Sequence, residues 1–305
     1  MDSGELIRAL KAAGEPSRLR MLRLCRSGEL TVGEITRILG QSQPRVSRHL
    51  KVLCEANLLE RFRERHSVYY RVAARGPFAD LVADLLSAVE PNDDGVARDI
   101  AIHRRVLEER MSQAGAGVER NRNWAGASGS VADEGRIRWT VLNLMADTPV
   151  GKLLDIGTGS GRMLRLLGRR AEEAVGLDIS ARVLAGTRGS VHGAGLSHCT
   201  LRHGDMYALP FDAGSFDTVA FDEVLSEAED TAGALAEAAR VARPGARMLI
   251  IDSVDGTGPI LDTERLSGHL TGLGIEPLRS VPVRLSASTL VAMLFRTGVA
   301  RRPAA

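Results

Sequence analysis

The sequence predicts two domains of different class: an α+β domain of helix-turn-helix type closed by a β-hairpin, then an α/β domain on a mostly parallel sheet. Three observations carry this. The chain has 305 residues, whereas single domains commonly run to roughly 100–200. Residues 1–75 hold 15 Lys and Arg against 8 Asp and Glu, a net +7, while the rest holds 25 against 30, a net −5. The apolar pattern also changes, from helical spacing with one hairpin near the start to alternating strands and helices beyond residue 150.

Composition narrows the function class. With 44% hydrophobic and 26% charged residues, disordered and collagen-like chains are excluded. No stretch resembles the roughly 20 apolar residues of a membrane span. Met1 leads into Asp2 and Glu5 without a basic-then-apolar leader, and three cysteines cannot make a disulfide framework, so the cytoplasm is the expected compartment. The positive end suits a polyanion. Because 37 of the 40 basic residues are arginine, a single arginine says little.

Residues 5–13 read as a helix, and Pro16 and Ser17 precede a second one carrying Leu19, Met21, Leu22 and Leu24 up to Gly28. Thr31 with Glu34 three positions on forms a capping-box pattern for a short helix through Ile35, Ile38 and Leu39, ended by Gly40. Ser42 caps a longer helix with Pro44 in its first turn. There Val46, Leu50 and Leu53 share one face while Arg45, Ser47, Arg48 and Lys51 point elsewhere. Leu58–Arg63 and Val68–Val72 flank a turn at Glu64–His66 as a hairpin. From Pro77 a helix shows the stripe Phe78, Leu81, Val82, Leu85, Leu86 and Val89, which needs a partner surface such as a second copy. Helix, short turn, helix and arginine-rich hairpin together describe a winged helix-turn-helix, with one helix suited to the major groove and the wing to phosphates.

A charged helical connector over 96–113 and a glycine-bearing loop from Ala114 to Ser130 lead into a helix opened by Ser130 and Asp133. Strands are expected at Leu153–Ile156, Ala174–Asp178, Thr200–His203, Thr218–Asp222 and Met248–Asp252. A helix at Leu261–Leu273 and strands at Val281–Leu285 and Leu290–Phe295 follow. The expected boundaries are 1–90 for DNA binding and dimerisation, 91–130 for connector and loop, 131–297 for the second domain and 298–305 for a tail.

The run Leu39-Gly-Gln-Ser-Gln-Pro-Arg-Val-Ser-Arg-His-Leu-Lys-Val-Leu53, followed by Tyr69-Tyr70-Arg71, resembles the ArsR-type winged-helix transcriptional regulators. The resemblance implies a homodimer joined through the first helix and the helix after the wing, on double-stranded operator DNA. It makes Gln43, Arg45, Ser47, Arg48 and His49 candidates for base or phosphate contacts, and Arg63, Arg65 and His66 for the wing. Arginine forks suit guanine and glutamine suits adenine; the ordinary alternative is a solvated charged face. Many members of that family sense metals through a Cys-x-Cys on the third helix. Here the corresponding stretch is Leu30-Thr-Val-Gly-Glu34, so no metal site is expected. Cys25 and Cys54 read as inert buried thiols.

Leu153-Leu-Asp155-Ile-Gly157-Thr-Gly159-Ser-Gly161 puts an acid and three glycines where a strand turns into a helix, so that backbone and helix N-terminus approach a ligand closely. A dinucleotide fingerprint would place its third glycine one position later, where Arg162 stands, so NAD is disfavoured. The pattern, with Val175-Gly-Leu-Asp178, Gly204-Asp205-Met206, Leu209-Pro210-Phe211, Phe216-Asp217-Thr218 and the expected turn Arg243-Pro244-Gly245, resembles class I S-adenosylmethionine (SAM)-dependent methyltransferases. That implies a Rossmann-like fold with a mostly parallel seven-stranded sheet and a site for SAM or S-adenosylhomocysteine (SAH). Gly157, Gly159 and Gly161 would admit the methionine part, Asp178 the ribose hydroxyls, Ile179 the adenine face, and Asp205 the adenine amino group beside Met206. Asp155 and Asp222 would add negative charge near the sulfonium.

Glu223, Tyr207 and Trp124 are the candidates for a methyl-acceptor pocket, against the ordinary alternatives of a solvated carboxylate, a surface tyrosine and a packed tryptophan. After the fourth strand Asp222-Glu223-Val224-Leu225-Ser226-Glu227 lacks the Asn-Pro-Pro-Tyr of base amino methylation, and a lone Cys199 argues against arsenic methylation. The reading is an ArsR-type regulator whose SAM/SAH-binding domain senses ligand and leaves methyl transfer open. The alternative is a small-molecule methyltransferase with an autoregulatory DNA-binding domain.

Overall fold

The computed structural model describes residues 1–64, 67–72, 76–88, 94–118, 130–256 and 258–298. It divides into two compact units, one of residues 1–112 with 188–198 and one of 113–187 with 199–305.

The first unit begins with α1 (Ser3–Ala13), where the Asp2 carboxylate accepts the Glu5 N–H and Glu5 accepts the Asp2 N–H in return. Helix α2 (Pro16–Arg26) follows, then β1 (Leu30–Thr31), α3 (Val32–Leu39) and α4 (Gln43–Glu55). The expected capping box forms: Thr31 Oγ1 accepts the Glu34 N–H at 3.4 Å, and Glu34 accepts the Thr31 N–H at 2.8 Å. Ser42 stands at the N-cap of α4 but makes no side-chain cap, so the fixed φ of Pro44 carries that start. The hairpin is β2 (Glu60–Glu64) with β3 (Ser67–Arg71). On the other side of β3 lies β1, a two-residue strand the sequence did not announce. Met21, Leu22, Leu30, Ile35, Ile38, Leu50, Leu53 and Leu58 form the buried core, which α5 (Pro77–Ser87) joins through Val82.

Helix α6 spans Asp94–Val118, longer than the expected 96–113, so residues 114–118 are helical and not the start of a loop. Trp124 and the rest of that expected loop, with Arg65 and His66, lie outside the described residues. Ion pairs bind α6 to the helices before it. Arg20 meets Asp99 at 2.6 Å, Arg37 meets Glu109, and Arg110 meets Glu34 at 2.5 Å and the Glu29 carbonyl at 3.1 Å. Residues 188–198 belong to this unit as well. The fully buried Arg188 donates to Glu29 at 2.9 Å and Glu64 at 2.5 Å, with its guanidinium carbon 4.2 Å from the Tyr69 ring centre. A buried cation so enclosed is stable only with its partners present.

The second unit runs α7 (Val131–Leu144), β4 (Gly151–Ile156), α8 (Arg162–Leu167), β5 (Ala171–Asp178), residues 181–187 of α9 (Ala181–Gly193), β6 (Cys199–His203), β7 (Phe216–Asp222), α10 (Thr231–Val241), β8 (Ala242–Ser253), α11 (Thr263–Gly272), β9 (Ile275–Arg284) and β10 (Thr289–Thr297). The seven strands lie in the order β6-β5-β4-β7-β8-β10-β9, and only β10 runs antiparallel to its neighbours. Strands β4 and β7 are buried along most of their length, as suits strands of a parallel sheet covered on both faces. Leu154, Ile156, Leu177, Phe221, Leu235, Met248 and Ile250 fill the core. The expected turn at Arg243-Pro244-Gly245 takes the form of an irregularity in β8, where Gly245 has a left-handed φ of 83°. These residues lie inside β8, and the excess length shows as a register shift against β7 between Phe216 and Thr218. Among the described residues no helix is long and apolar enough to cross a membrane.

Candidate functional site

The sheet's order reverses at β4. The chain moves outward through β5 and β6, then returns to β7 on the other side. In open α/β sheets such a switch opens a crevice at the carboxyl ends of the strands, where ligands bind. From Ile156 the backbone reaches α8 within five residues. Gly157, Gly159 and Gly161 turn it with φ of 68°, 50° and 77°, values that cost glycine nothing. At Gly157 space matters too, since a Cβ would lie 2.6 Å from Val224 Cγ2. Thr187 of α9 braces the turn by donating from Oγ1 to the Gly159 carbonyl.

Four aspartates stand at or near the carboxyl ends of adjacent strands: Asp155, Asp178, Asp222 and Asp252. Asp178 accepts the Gly159 N–H at 3.2 Å on Oδ2 and the Ser180 N–H at 2.8 Å on Oδ1. Burial pushes its carboxyl up against the opposing pull of those two donors. Beside it Ile179 is 63% exposed, a large apolar side chain at the crevice's strand end. Asp252 accepts from the Ser226 and Ser253 N–H groups, and burial raises it likewise.

Asp155 is fully buried. Thr158 Oγ1 donates to its Oδ2 at 2.6 Å, while Oδ1 has no hydrogen-bond partner. Burial above all, with Asp222 and Asp178 adding repulsion, pushes this carboxyl up to about 8, against the pull of Thr158 and Arg162. A raised acid keeps its proton folded and loses it unfolded, so this site makes folding progressively less favourable between about pH 4 and pH 8. Asp155→Asn, which mimics the protonated form, is expected to raise the melting temperature more at pH 8 than at pH 5. A thermal scan at both pH values checks it, and an equal effect would remove the titration.

The turn after β7 is anchored from α8. Arg162 Nε donates to Asp222 Oδ2 at 2.8 Å, and its Nη2 reaches both Asp222 Oδ1 and Glu223 Oε1, the latter at 2.5 Å. Glu223 holds a left-handed φ of 53°, uncommon for a residue with a side chain. After β6, Asp205 is exposed and accepts the Tyr207 N–H at 2.9 Å, Met206 packs partly on the core, and the Tyr207 hydroxyl accepts the Asp230 N–H at 3.2 Å.

Asp155, Gly159, Asp178, Asp222 and Glu223 are thus brought together by direct bonds or charge. Asp205, Met206 and Tyr207 follow the end of the neighbouring strand. Sequence reasoning missed Arg162, Thr187 and Asp252 as parts of this crevice. Arg162 shows in sequence only as the residue where a dinucleotide glycine would stand.

In the first unit Gln43, Arg45, Ser47 and Arg48 are exposed on α4, whose Val46, Leu50 and Leu53 are buried. His49 is half-buried, its Nδ1 3.7 Å from Oε2 of Glu15, whose Oε1 lies 4.0 Å from Arg45 Nη2. On β2, Arg61 and Arg63 are exposed two residues apart, on one side of the strand. Burial pushes the Cys25 and Cys54 thiols up, away from the reactive thiolate form.

Comparison with known proteins meets this geometry in both units. Residues 15–61 match the family model described as bacterial regulatory protein, arsR family, and residues 154–250 match that of a methyltransferase domain. A demethylmenaquinone methyltransferase of Shouchella clausii is 33% identical over 110 residues, 35% of this chain and 47% of that protein. One from Thermus thermophilus is 32% identical over 120 residues, covering 38% and 54%. The chain therefore spans about half the length of these curated relatives. Among solved structures, the N-methyltransferase NodS from Bradyrhizobium japonicum matches with 18% identity and a TM-score of 0.48, over 55% of this chain and 98% of that one. The chain joins an arsR-type helix-turn-helix domain to a methyltransferase domain, for which SAM or SAH is the expected cofactor. The residues fit it: a glycine turn without Cβ atoms, a strand-end carboxylate, an exposed apolar neighbour, and a buried aspartate oxygen without a partner.

Proposed function

We propose that the chain is a DNA-binding transcriptional regulator whose methyltransferase domain reads SAM or SAH, with occupancy changing operator affinity. One observation carries the preference for sensing. Asp178 keeps lone pairs beside the exposed Ile179 for a ligand, whereas both described acceptor-pocket candidates are engaged within the protein, Glu223 by Arg162 and the Tyr207 hydroxyl by the Asp230 N–H.

When bound, SAM supplies an electrophilic methyl group on a cationic sulfur. Around it the chain's residues bind and orient. Each Asp178 oxygen accepts one N–H, which leaves lone pairs for two ribose hydroxyls. Ile179 supports the adenine face, Asp205 takes its amino group beside Met206, and Gly157, Gly159 and Gly161 admit the methionine part. Asp222 lends negative charge toward the sulfonium, Asp155 adds its own only as pH rises toward about 8, and a pocket formed with Trp124 would take an acceptor. On DNA, Gln43, Arg45, Ser47, Arg48 and His49 contact bases or phosphates from α4, and the wing with Arg63 and Arg65 follows the phosphates. The protein acts in the cytoplasm, where its operator is.

The regulator works as a homodimer. Ile7 and Leu10 are 52% and 43% exposed on one face of α1, the helix the ArsR-type dimer would use. Ile7→Glu with Leu10→Glu is expected to yield monomers with operator affinity lowered at least tenfold, as half of the contacts are lost. Analytical ultracentrifugation beside anisotropy checks it; a persistent dimer would place the interface elsewhere.

The functional test uses full-length protein and DNA from upstream of its own gene, at fixed salt because phosphate contacts make affinity steeply ionic. SAM or SAH is expected to shift the dissociation constant by roughly 5- to 150-fold, the usual range of allosteric coupling. No shift from either, together with transfer of a labelled methyl group from SAM to a small molecule, would favour the enzyme with autoregulation.

A further inference from the structure

SAM and SAH differ by one methyl group and one positive charge at sulfur. Their adenine, ribose and amino-acid parts are the same, so contacts to those parts cannot separate them. Discrimination comes from the space for that methyl and from the field at the sulfur, and the crevice concentrates titratable groups where that field is set.

Arg162 stands at the centre of them. It follows Gly161 directly, and its side chain is 6% exposed. Asp222 and Glu223, at 9% and 13%, share its guanidinium, while Glu134 of α7 lies 3.6 Å from Nη1 at the outer side. Two nearly buried carboxylates therefore meet one buried cation. Asp155 feels both Arg162 and Asp222, so the same charges reach the floor of the glycine turn. Arg165, the next cation along α8, turns its Nη1 to the Ser160 carbonyl at 2.5 Å.

We propose that Arg162 is the specificity-determining residue between the two cofactor forms: by neutralising Asp222 and Glu223 it restrains the pull on the sulfonium and keeps SAH competitive with SAM. This rests on the reading of the domain as a SAM/SAH sensor. A regulator that answers to SAH in the presence of SAM needs such a restraint, since the carboxylates of Asp222 and Glu223 left alone favour the cation. The fork geometry also explains the residue type. An arginine spans Asp222 Oδ1, Asp222 Oδ2 and Glu223 Oε1 at once, whereas an ammonium is a point charge.

The test is calorimetric titration of the full-length protein with SAM and with SAH at pH 8, reading the ratio of the two dissociation constants. Arg162→Gln is expected to shift that ratio toward SAM on the order of tenfold, the effect of one charge acting across a crevice at an effective dielectric of about 20. Arg162→Lys keeps the charge and is expected to leave the ratio within about threefold of the parent, even if both affinities drop. Glu223→Gln moves the ratio the other way, and adding it to Arg162→Gln restores it. Equal weakening of both ligands in Arg162→Gln would make Arg162 merely structural and overturn the inference. Should Arg162→Gln fail to fold, an unchanged ratio in Glu223→Gln overturns it instead. A parent protein that binds neither ligand would overturn the cofactor reading itself, which is a different result from an unmoved ratio.

Discussion

Asp178→Ala is expected to weaken SAM and SAH alike by about 100-fold while ligand-free operator binding stays unchanged. The carboxylate stands at the end of β5, where it would accept both ribose hydroxyls. Two charge-assisted hydrogen bonds, at about 1.5 kcal/mol or more each, sum to roughly 3 kcal/mol. Asp178 also accepts the Gly159 and Ser180 N–H groups, so part of the loss comes through a loosened glycine turn. Asp178→Asn separates the two, since it keeps an acceptor oxygen and is expected to cost nearer tenfold. Calorimetry measures both. Affinities within threefold of the parent would mean that the ribose is held elsewhere.

A large stability effect in the first unit is expected from Arg110→Met, about 3 kcal/mol. Arg110 is 8% exposed and holds Glu34 and the Glu29 carbonyl. Removing one member of a buried pair leaves the other charge uncompensated. Burial pushes the Glu34 carboxyl up, but Arg110 and the Thr31 bonds outweigh it and hold the group below its ordinary 4.5. A lowered carboxyl stabilises above its unfolded value and loses that stabilisation as pH falls through its folded one. The gap between parent and variant should therefore be widest above about pH 5 and shrink toward pH 3. Denaturant melts across that window check it; a gap independent of pH would mean that Arg110 contributes through packing of its stem alone.

How far the sequence foretells this structure depends on the range of the interaction. The Thr31/Glu34 capping box, the amphipathic α4 and the glycine turn after Ile156 are local, and their spacing alone announces them. The two-residue β1 is too short to show a period, and only its pairing with β3 makes it a strand. Gly115 and Gly117 argue for a loop, yet they lie within α6, where the preceding turns and their ion pairs override weak propensity. The Arg162 pairs with residues 222 and 223 and the Arg188 pairs with residues 29 and 64 join positions far apart in the chain. In a chain so rich in arginine, no local pattern singles these two out. His49 shows the same limit from the other side. Its place on α4 suggests a DNA contact, and only folding reveals Glu15 beside it.

Whether the two domains are coupled is decided by the SAM and SAH affinity of the full-length protein with and without saturating operator DNA. Coupling between two binding sites is reciprocal, so the factor by which ligand changes operator affinity must reappear as the factor by which DNA changes ligand affinity. The account predicts a shift of about fivefold or more for at least one of the two, equal in both directions of the cycle. Ligand affinities that are the same with and without DNA would contradict it, leaving two domains that share a chain and no function.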